Sequence, residues 1–229
     1  MNQALIGAAM GWGPDAFRRF EQSNGALTVR NCAWITKPVI KSHPLTFDLQ
    51  TLALHPGPAP NAPASASIKV INVTGDGWAT RAQPGAVVLI AAPEVVSSSV
   101  ANGSHLRSLV QHLSSAPPVD FAVHTSNEAA MSMLTALRAG GVAFPSKQVD
   151  VSACANIVVE RAAQSAHSGI AMVIATPSEL SRMLNDVMLP ESQCTYAFHL
   201  KPFGVSVLNP TSAGTHWSVV AAVINDTGL

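Results

Sequence analysis

The chain has 229 residues, only 11% of which are charged, and its thirteen acidic and thirteen basic side chains cancel. Soluble domains usually carry about 25% charged residues. Neutrality and the absence of any run of Lys or Arg argue against a nucleic-acid-binding surface, and no stretch approaches the ~20 apolar residues of a membrane helix. A surface with so few charges gives little electrostatic repulsion between molecules. We therefore expect the binding partners of this chain to be copies of itself.

Cysteines and termini give few further signals. The three cysteines, Cys32, Cys154 and Cys194, form no CxxC pair, which argues against a zinc site or a disulfide framework. No histidine pair has metal-ligand spacing, so we expect neither a metal nor a cofactor. The first twenty residues have no basic segment before their apolar stretch and do not fit a signal peptide. We therefore expect the chain in the cytoplasm or in a virion.

The amino-terminal half has an extended texture. A short helix is predicted between Pro14 and Gly25. Short β-branched stretches bounded by Pro or Gly then predict strands over 26–36, 45–55 and 67–74. Four prolines within residues 56–64 exclude a helix or a central strand there.

From about residue 85 apolar strands alternate with amphipathic helices, which indicates a largely parallel sheet covered on both faces. The predicted strands are 86–92, 119–125, 148–155 and 170–175, and the predicted helices are 104–113, 127–141, 157–168 and 178–188. Residues 195–208 and 216–224 return to β texture. The fold class is thus mixed α/β, with a β-rich amino half, an alternating β/α middle over about 85–190 and a β-rich tail. We expect one composite domain over 1–229, with a possible sub-boundary near 75–85.

Residues 119–144 form a strand, a helix, a Gly140-Gly141 pair and a second strand. This segment resembles the later strand–helix–strand unit of Rossmann-type methyltransferases and medium-chain reductases. The resemblance implies an enzyme core, yet no GxGxxG phosphate loop follows the strand 86–92. The glycine pair is better explained as a helix stop, and we expect one of the two to adopt a positive φ.

Two arrangements could supply a protease nucleophile. Cys32 followed at a distance by His216 is similar in order to thiol proteases, although Cys32 falls in a predicted strand rather than at a helix amino terminus. Ser126, which precedes a helix of small residues, resembles the serine of Lon-type Ser/Lys proteases and their birnavirus relatives. Arg161 stands on the later helix and cannot act as a base, which leaves Lys147 as the nearby lysine.

Residues 45–73 combine two strands with a proline-rich connection, and this texture resembles coat proteins of small non-enveloped viruses. Together with the low charge, the resemblance implies a self-assembling structural protein of capsid or shell type. The alternatives are an enzyme with a Rossmann-like core, active or inactive, and a viral-type Ser or Cys protease. The sequence identifies no firm catalytic residue.

Overall fold

The computed structural model describes residues 27–32, 45–48, 53–56, 66–73, 77–93, 100–163, 168–188, 197–211 and 219–226. The helix expected between Pro14 and Gly25 lies outside these residues, as do His216 and Cys194. In this part of the chain, no helix is long and apolar enough to cross a membrane.

Along the chain, the strands fall into an amino-terminal set and a later set. The amino-terminal strands are β1 (Leu27–Cys32), β2 (Leu45–Asp48), β3 (Ala53–Pro56) and β4 (Ala66–Val73). The later strands are β5 (Val87–Ala91), β6 (Val119–His124), β7 (Ser146–Gln148), β8 (Ile170–Ala175), β9 (Ala197–Phe198), β10 (Val205–Pro210) and β11 (Val219–Asp226). The mixed α/β class predicted from the sequence is confirmed.

The main sheet has the order β1-β4-β11-β10-β5-β8-β6-β7, with β9 beside β4. β5, β8, β6 and β7 run parallel to one another. The pairs β5–β10, β10–β11, β11–β4 and β4–β1 are antiparallel, and the short β9 is parallel to β4. β5 and β8 are buried along their whole length. Both read as unbroken apolar runs because a central parallel strand has no solvent-facing side.

The helices α1 (Val100–Ser115), α2 (Glu128–Ala139), α3 (Val151–Ala163) and α4 (Pro177–Met188) divide between the two faces of the sheet. Side chains of α1 and α2 and of a 3₁₀ turn, Trp78–Arg81, fill one core. Side chains of α3 and α4 fill the other. The parallel strands therefore lie between two helical layers, as the alternating pattern predicted.

Two predicted strands are wrong. Residues 45–55 are not one strand but two, since β2 and β3 pair antiparallel with Leu45 opposite Pro56. Residues 148–155 were expected as a strand, but β7 ends at Gln148 and α3 begins at Val151. Val149, Val151 and Ala153 alternate as a strand would, whereas the buried positions Cys154, Val158 and Arg161 follow helical spacing.

The glycine pair after α2 is a helix stop, as expected. Gly140 is the C-cap, and its N–H donates to the carbonyl of Ala136 at 3.0 Å. Gly141 has a φ of 91° and its N–H donates to the carbonyl of Arg138. A β-carbon would be strained at Gly141 because L side chains rarely adopt this backbone conformation.

Candidate functional site

The carboxyl ends of the parallel strands meet at one side of the sheet, which we call the carboxyl edge. Pro93 follows β5 after one residue, Thr125 follows β6 directly, and Thr176 follows β8 directly. The helix after β5 packs on one face of the sheet, whereas the helix after β8 packs on the other. Connections that leave neighbouring strands on opposite faces open a crevice between them, where open α/β sheets bind ligands.

His124, the last residue of β6, is the buried histidine at this edge, with 8% of its surface exposed. Its Nδ1 lies 3.0 Å from the carbonyl oxygen of Thr125. Because a carbonyl only accepts, the neutral ring carries its proton on Nδ1 and keeps a lone pair on Nε2. Within the described ranges, Nε2 has no hydrogen-bond partner. The ring therefore presents one oriented acceptor.

Glu179 ties the ends of β6 and β8 to the start of α4. Its Oε2 accepts from the backbone N–H of Thr176 at 2.8 Å and from the Thr176 hydroxyl at 2.9 Å. The hydroxyl of Thr125 donates to the same oxygen at 3.1 Å. Thr176, Pro177 and Glu179 form a capping box with proline at the first helical position, which explains why α4 begins here.

The start of α2 is fixed in a similar way. The side chain of Asn127 caps the helix by accepting from the N–H of Ala129 at 2.9 Å. Ser126, one residue earlier, is exposed. The connection between β6 and α2 is therefore anchored at both ends, by Thr125 and by Asn127.

Two helices that begin at the carboxyl edge have acidic side chains in their first turns, where an anion could otherwise bind. Glu128 and Glu179 lie in the first turns of α2 and α4. A carboxylate there complements the positive end of the helix and takes the role that a bound phosphate would have. Residues 92–99, which follow β5, contain no Arg, Lys or His. These connections supply no cationic clamp for a phosphoryl group.

The turn before β10 reaches the end of β5 and carries a strained residue. Phe203 has a φ of 63°, which is rare for a bulky side chain, and its N–H donates to the carbonyl of Ala91 at 2.7 Å. The ring stacks on that of His105 in α1, with centroids 5.4 Å apart. Strain of this kind is concentrated at functional sites, and here it lies at the carboxyl end of β5.

Cys154, in the first turns of α3, is a buried free thiol. Burial, and then the nearby charge of Glu179, raise the pKa of Cys154 to about 11. The thiolate is the nucleophilic form, so this cysteine is inert at neutral pH. No group of three or more His, Cys, Asp or Glu side chains that could hold a metal ion occurs in the described part of the chain.

The opposite side of the parallel strands, which we call the amino edge, is closed by an ion pair. Arg161, 5% exposed, donates to the carboxylate of Asp120 and to the carbonyl of Gly169 at 2.9 Å. Its guanidinium also lies over the ring of Phe121, 5.4 Å from the centroid. Arg161 therefore has a structural role, which agrees with its exclusion as a base.

The structure separates the residues that the sequence singled out. Ser126 and Lys147 are both exposed near the carboxyl edge, and Lys147 pairs in register with Val123. Neither side chain makes a hydrogen bond among the residues described, so no Ser/Lys dyad is formed in this structure. Cys32 ends β1, at the other end of the sheet order, in the strand that was predicted. His216 lies outside the described residues, and the roles of all four stay predictions.

Sequence reasoning missed His124 and Glu179. A signal for each was present in the sequence. His124 ends an apolar strand, and the residues that follow β8, Thr-Pro-Ser-Glu, have the pattern of a capping box. Both were passed over because a single histidine or glutamate has no motif around it until the order of the strands is known.

No family model matches the sequence, and no curated protein matches it. Among solved structures, the chain is similar to one described as the phosphohistidine phosphatase SixA from Agrobacterium tumefaciens, with 13% identity, 56% of this chain and 94% of that chain covered, and a TM-score of 0.36. It is also similar to a phosphoserine phosphatase variant from Entamoeba histolytica, with 10% identity, 62% and 97% covered, and a TM-score of 0.46. A third similar structure is described as a phosphohistidine phosphatase SixA from Nakamurella multipartitia, with 17% identity, 63% of this chain and 99% of that chain covered, and a TM-score of 0.38.

The resemblance to viral coat proteins, and with it a capsid or shell function, is wrong. The matching structures named above are described as phosphatases, and none is described as a coat protein, a methyltransferase, a reductase or a protease. Part of the apolar composition belongs to strands β5 and β8, which are buried along their whole length and hold apolar residues only. The Rossmann-type enzyme and viral-type protease alternatives are likewise unsupported. At these TM-scores the likeness itself carries no argument for a phosphatase reaction in this chain.

Proposed function

We propose that the chain binds a small uncharged or cationic ligand at the carboxyl edge, where Nε2 of His124 accepts a proton or a hydrogen bond from it. The observation that carries the proposal is the buried imidazole, whose Nδ1–H is committed to the Thr125 carbonyl while Nε2 is left without a partner among the described residues. Such a ring is suited to general-base chemistry on a hydroxyl or an N–H group.

The charge of the edge supports this choice of ligand. Phosphoryl transfer needs cationic groups or metal ions around the phosphate. The first turns of α2 and α4 hold Glu128 and Glu179, and residues 92–99 contain no basic side chain. The exposed Lys147 on β7 is the basic side chain that we place near this edge. A dianionic phosphomonoester would still meet the carboxylates at both helix starts, whereas a polyol, an amide or an amine would not be repelled by them.

Fragment binding followed by NMR of the histidine rings tests the proposal. Three sets of probes are added to the ¹⁵N-labelled protein: polyols and primary amides, alkylamines, and phosphomonoesters such as O-phosphoserine. We expect members of the first two sets to shift the Nε2 resonance of His124. The variant His124→Gln should lose that binding, whereas His199→Gln, which alters an exposed histidine after β9, should keep it.

Two outcomes with the same samples would contradict the proposal. One is phosphomonoester binding at His124, accompanied by release of phosphate from p-nitrophenyl phosphate that disappears in His124→Gln. The other is the absence of any shift at His124 with probes of the first two sets, in a protein whose melting temperature shows that it is folded.

A further inference from the structure

We propose that Glu179 is a positioning residue, which acts through Thr125 to keep the proton of His124 on Nδ1. The inference rests on the proposed role of His124 and adds a residue from a different helix to it. Glu179 itself is not required to touch the ligand.

The first step is the pair of contacts made by Thr125. Its backbone carbonyl accepts from Nδ1 of His124 at 3.0 Å, and its hydroxyl donates to Oε2 of Glu179 at 3.1 Å. Its N–H donates to the carbonyl of Ile174 at 3.2 Å. One residue is thus bonded to the imidazole, to the neighbouring strand β8 and to the carboxylate at the start of α4.

The second step is the direction of the Thr125 carbonyl. This oxygen belongs to the peptide between Thr125 and Ser126, and it can rotate only if one of its flanking residues moves. On one side, Ser126 is joined to Asn127, which is held in place as the cap of α2 because its side chain accepts from the N–H of Ala129 at 2.9 Å. On the other side, the bond from the Thr125 hydroxyl to Glu179 fixes the threonine side chain and the backbone that carries it.

The third step is the consequence for the imidazole. A neutral histidine has two tautomers, and the bond made by one nitrogen decides which of them is present. When the Thr125 carbonyl points at Nδ1, the proton stays there and Nε2 is an acceptor. If the carbonyl turns away, the proton can move to Nε2, and the nitrogen at the ligand side becomes a donor with the wrong polarity.

Thr125→Val tests this directly, because it removes the hydroxyl and keeps the shape of the side chain. The tautomer of His124 is read from its ¹⁵N ring shifts in the ligand-free protein. We expect Nδ1–H alone in the wild type and a mixture of both tautomers in Thr125→Val. Thr135→Val is the matched control, since it removes an exposed hydroxyl that donates to the Met131 carbonyl at 2.9 Å in α2.

A second pair of variants separates positioning from helix capping. Glu179→Ala should give the same tautomer mixture, and Glu179→Gln, which keeps an acceptor oxygen, should restore Nδ1–H in part. Glu128→Ala removes an acid from the first turn of α2 and should lower stability without changing the tautomer. Thr125→Ser keeps a hydroxyl at this position, so, unlike Thr125→Val, it should keep the proton of His124 on Nδ1.

Ligand affinity gives the second measurement. For a probe that binds to Nε2, we expect both Thr125→Val and Glu179→Ala to weaken binding in proportion to the fraction of His124 that keeps its proton on Nδ1, roughly twofold for an even mixture of tautomers and about tenfold where one tenth keeps it. An unchanged His124 tautomer in folded Thr125→Val and Glu179→Ala overturns the inference. A change of tautomer without any ligand binding supports the positioning role and counts against the proposed function alone.

Discussion

The two edges of the parallel strands use charge in opposite ways. At the amino edge, Arg161 and Asp120 neutralise each other, and the guanidinium of Arg161 lies over the ring of Phe121. At the carboxyl edge, Glu179 accepts three hydrogen bonds from threonines, while Nε2 of His124 is left with no partner in the described ranges. The guanidinium of Arg161 has its charge neutralised and its Nη2 bonded twice, although its Nε has no hydrogen-bond partner among the described residues. A charge that is neutralised inside the protein stabilises the fold, whereas a ring nitrogen with an open acceptor position is available for chemistry.

The amino edge should therefore respond to substitution by losing stability, and the largest effect is expected for Gly169→Ala. A β-carbon there would lie 2.2 Å from the carbonyl oxygen of Pro118 and 2.3 Å from Oδ1 of Asp120. Since the backbone must move to make room, we expect a loss of about 3 kcal/mol or more in the free energy of unfolding. Urea denaturation measures it.

Gly103→Ala is the matched control for that prediction. Gly103 lies within α1, and a β-carbon there would meet nothing within 4 Å. Alanine is the better helix former, so this change should stabilise the protein by about 1 kcal/mol. Equal and small effects at both glycines would contradict the view that the amino edge is tightly closed.

Asp120→Asn should have the next largest effect. It leaves the guanidinium of Arg161 buried without its negative partner, although the carboxylate itself is 31% exposed. We expect a loss of about 2 kcal/mol, below the usual cost for a fully buried pair. Ser178→Ala, at the carboxyl edge, should change the unfolding free energy by less than about 0.5 kcal/mol. If the two variants are equally stable by thermal melting, the contrast between the edges fails.

Gly141→Ala should cost about 1 kcal/mol, because of its φ of 91°. The helix α2 starts at the carboxyl edge and ends at the amino edge, so this change should lower the melting temperature and leave probe binding at His124 unaltered. Loss of binding at an unchanged melting temperature would place the glycine pair in a ligand site instead.

The smallest effect is expected from the thiol of Cys154. Its pKa of about 11 in the folded protein lies above the ordinary value of 9.0, so the unfolded chain releases the proton first. The stabilising contribution is complete below pH 9 and is lost as the pH rises towards 11. Urea denaturation of wild type and Cys154→Ala at pH 8, 9 and 10 should show a difference that shrinks with pH, and a constant difference would refute this.

The sequence predicted most of the β/α middle because its signals are local, and it failed at 148–155, where a strand was expected and α3 begins at Val151. Unbroken apolar runs identified β5 and β8, and the glycine pair marked the end of α2. The pairing of β10 with β5, and the meeting of Thr125 with Glu179, join positions far apart in the chain. Such contacts leave no periodic pattern, which is why the site was not found. Association between copies of the chain and the single composite domain stay predictions, which light scattering and limited proteolysis can test.

The burial of β5 has a consequence for synthesis of the chain. Val87 pairs with Ala171, so the strand waits for a partner that is made 84 residues later. At about 5–20 residues per second, this interval lasts roughly 4 to 17 s. During that time an uncharged, β-prone segment is exposed to other nascent chains, and such segments promote aggregation. A strand at the centre of the folded sheet thus needs protection from other chains while the protein is being made.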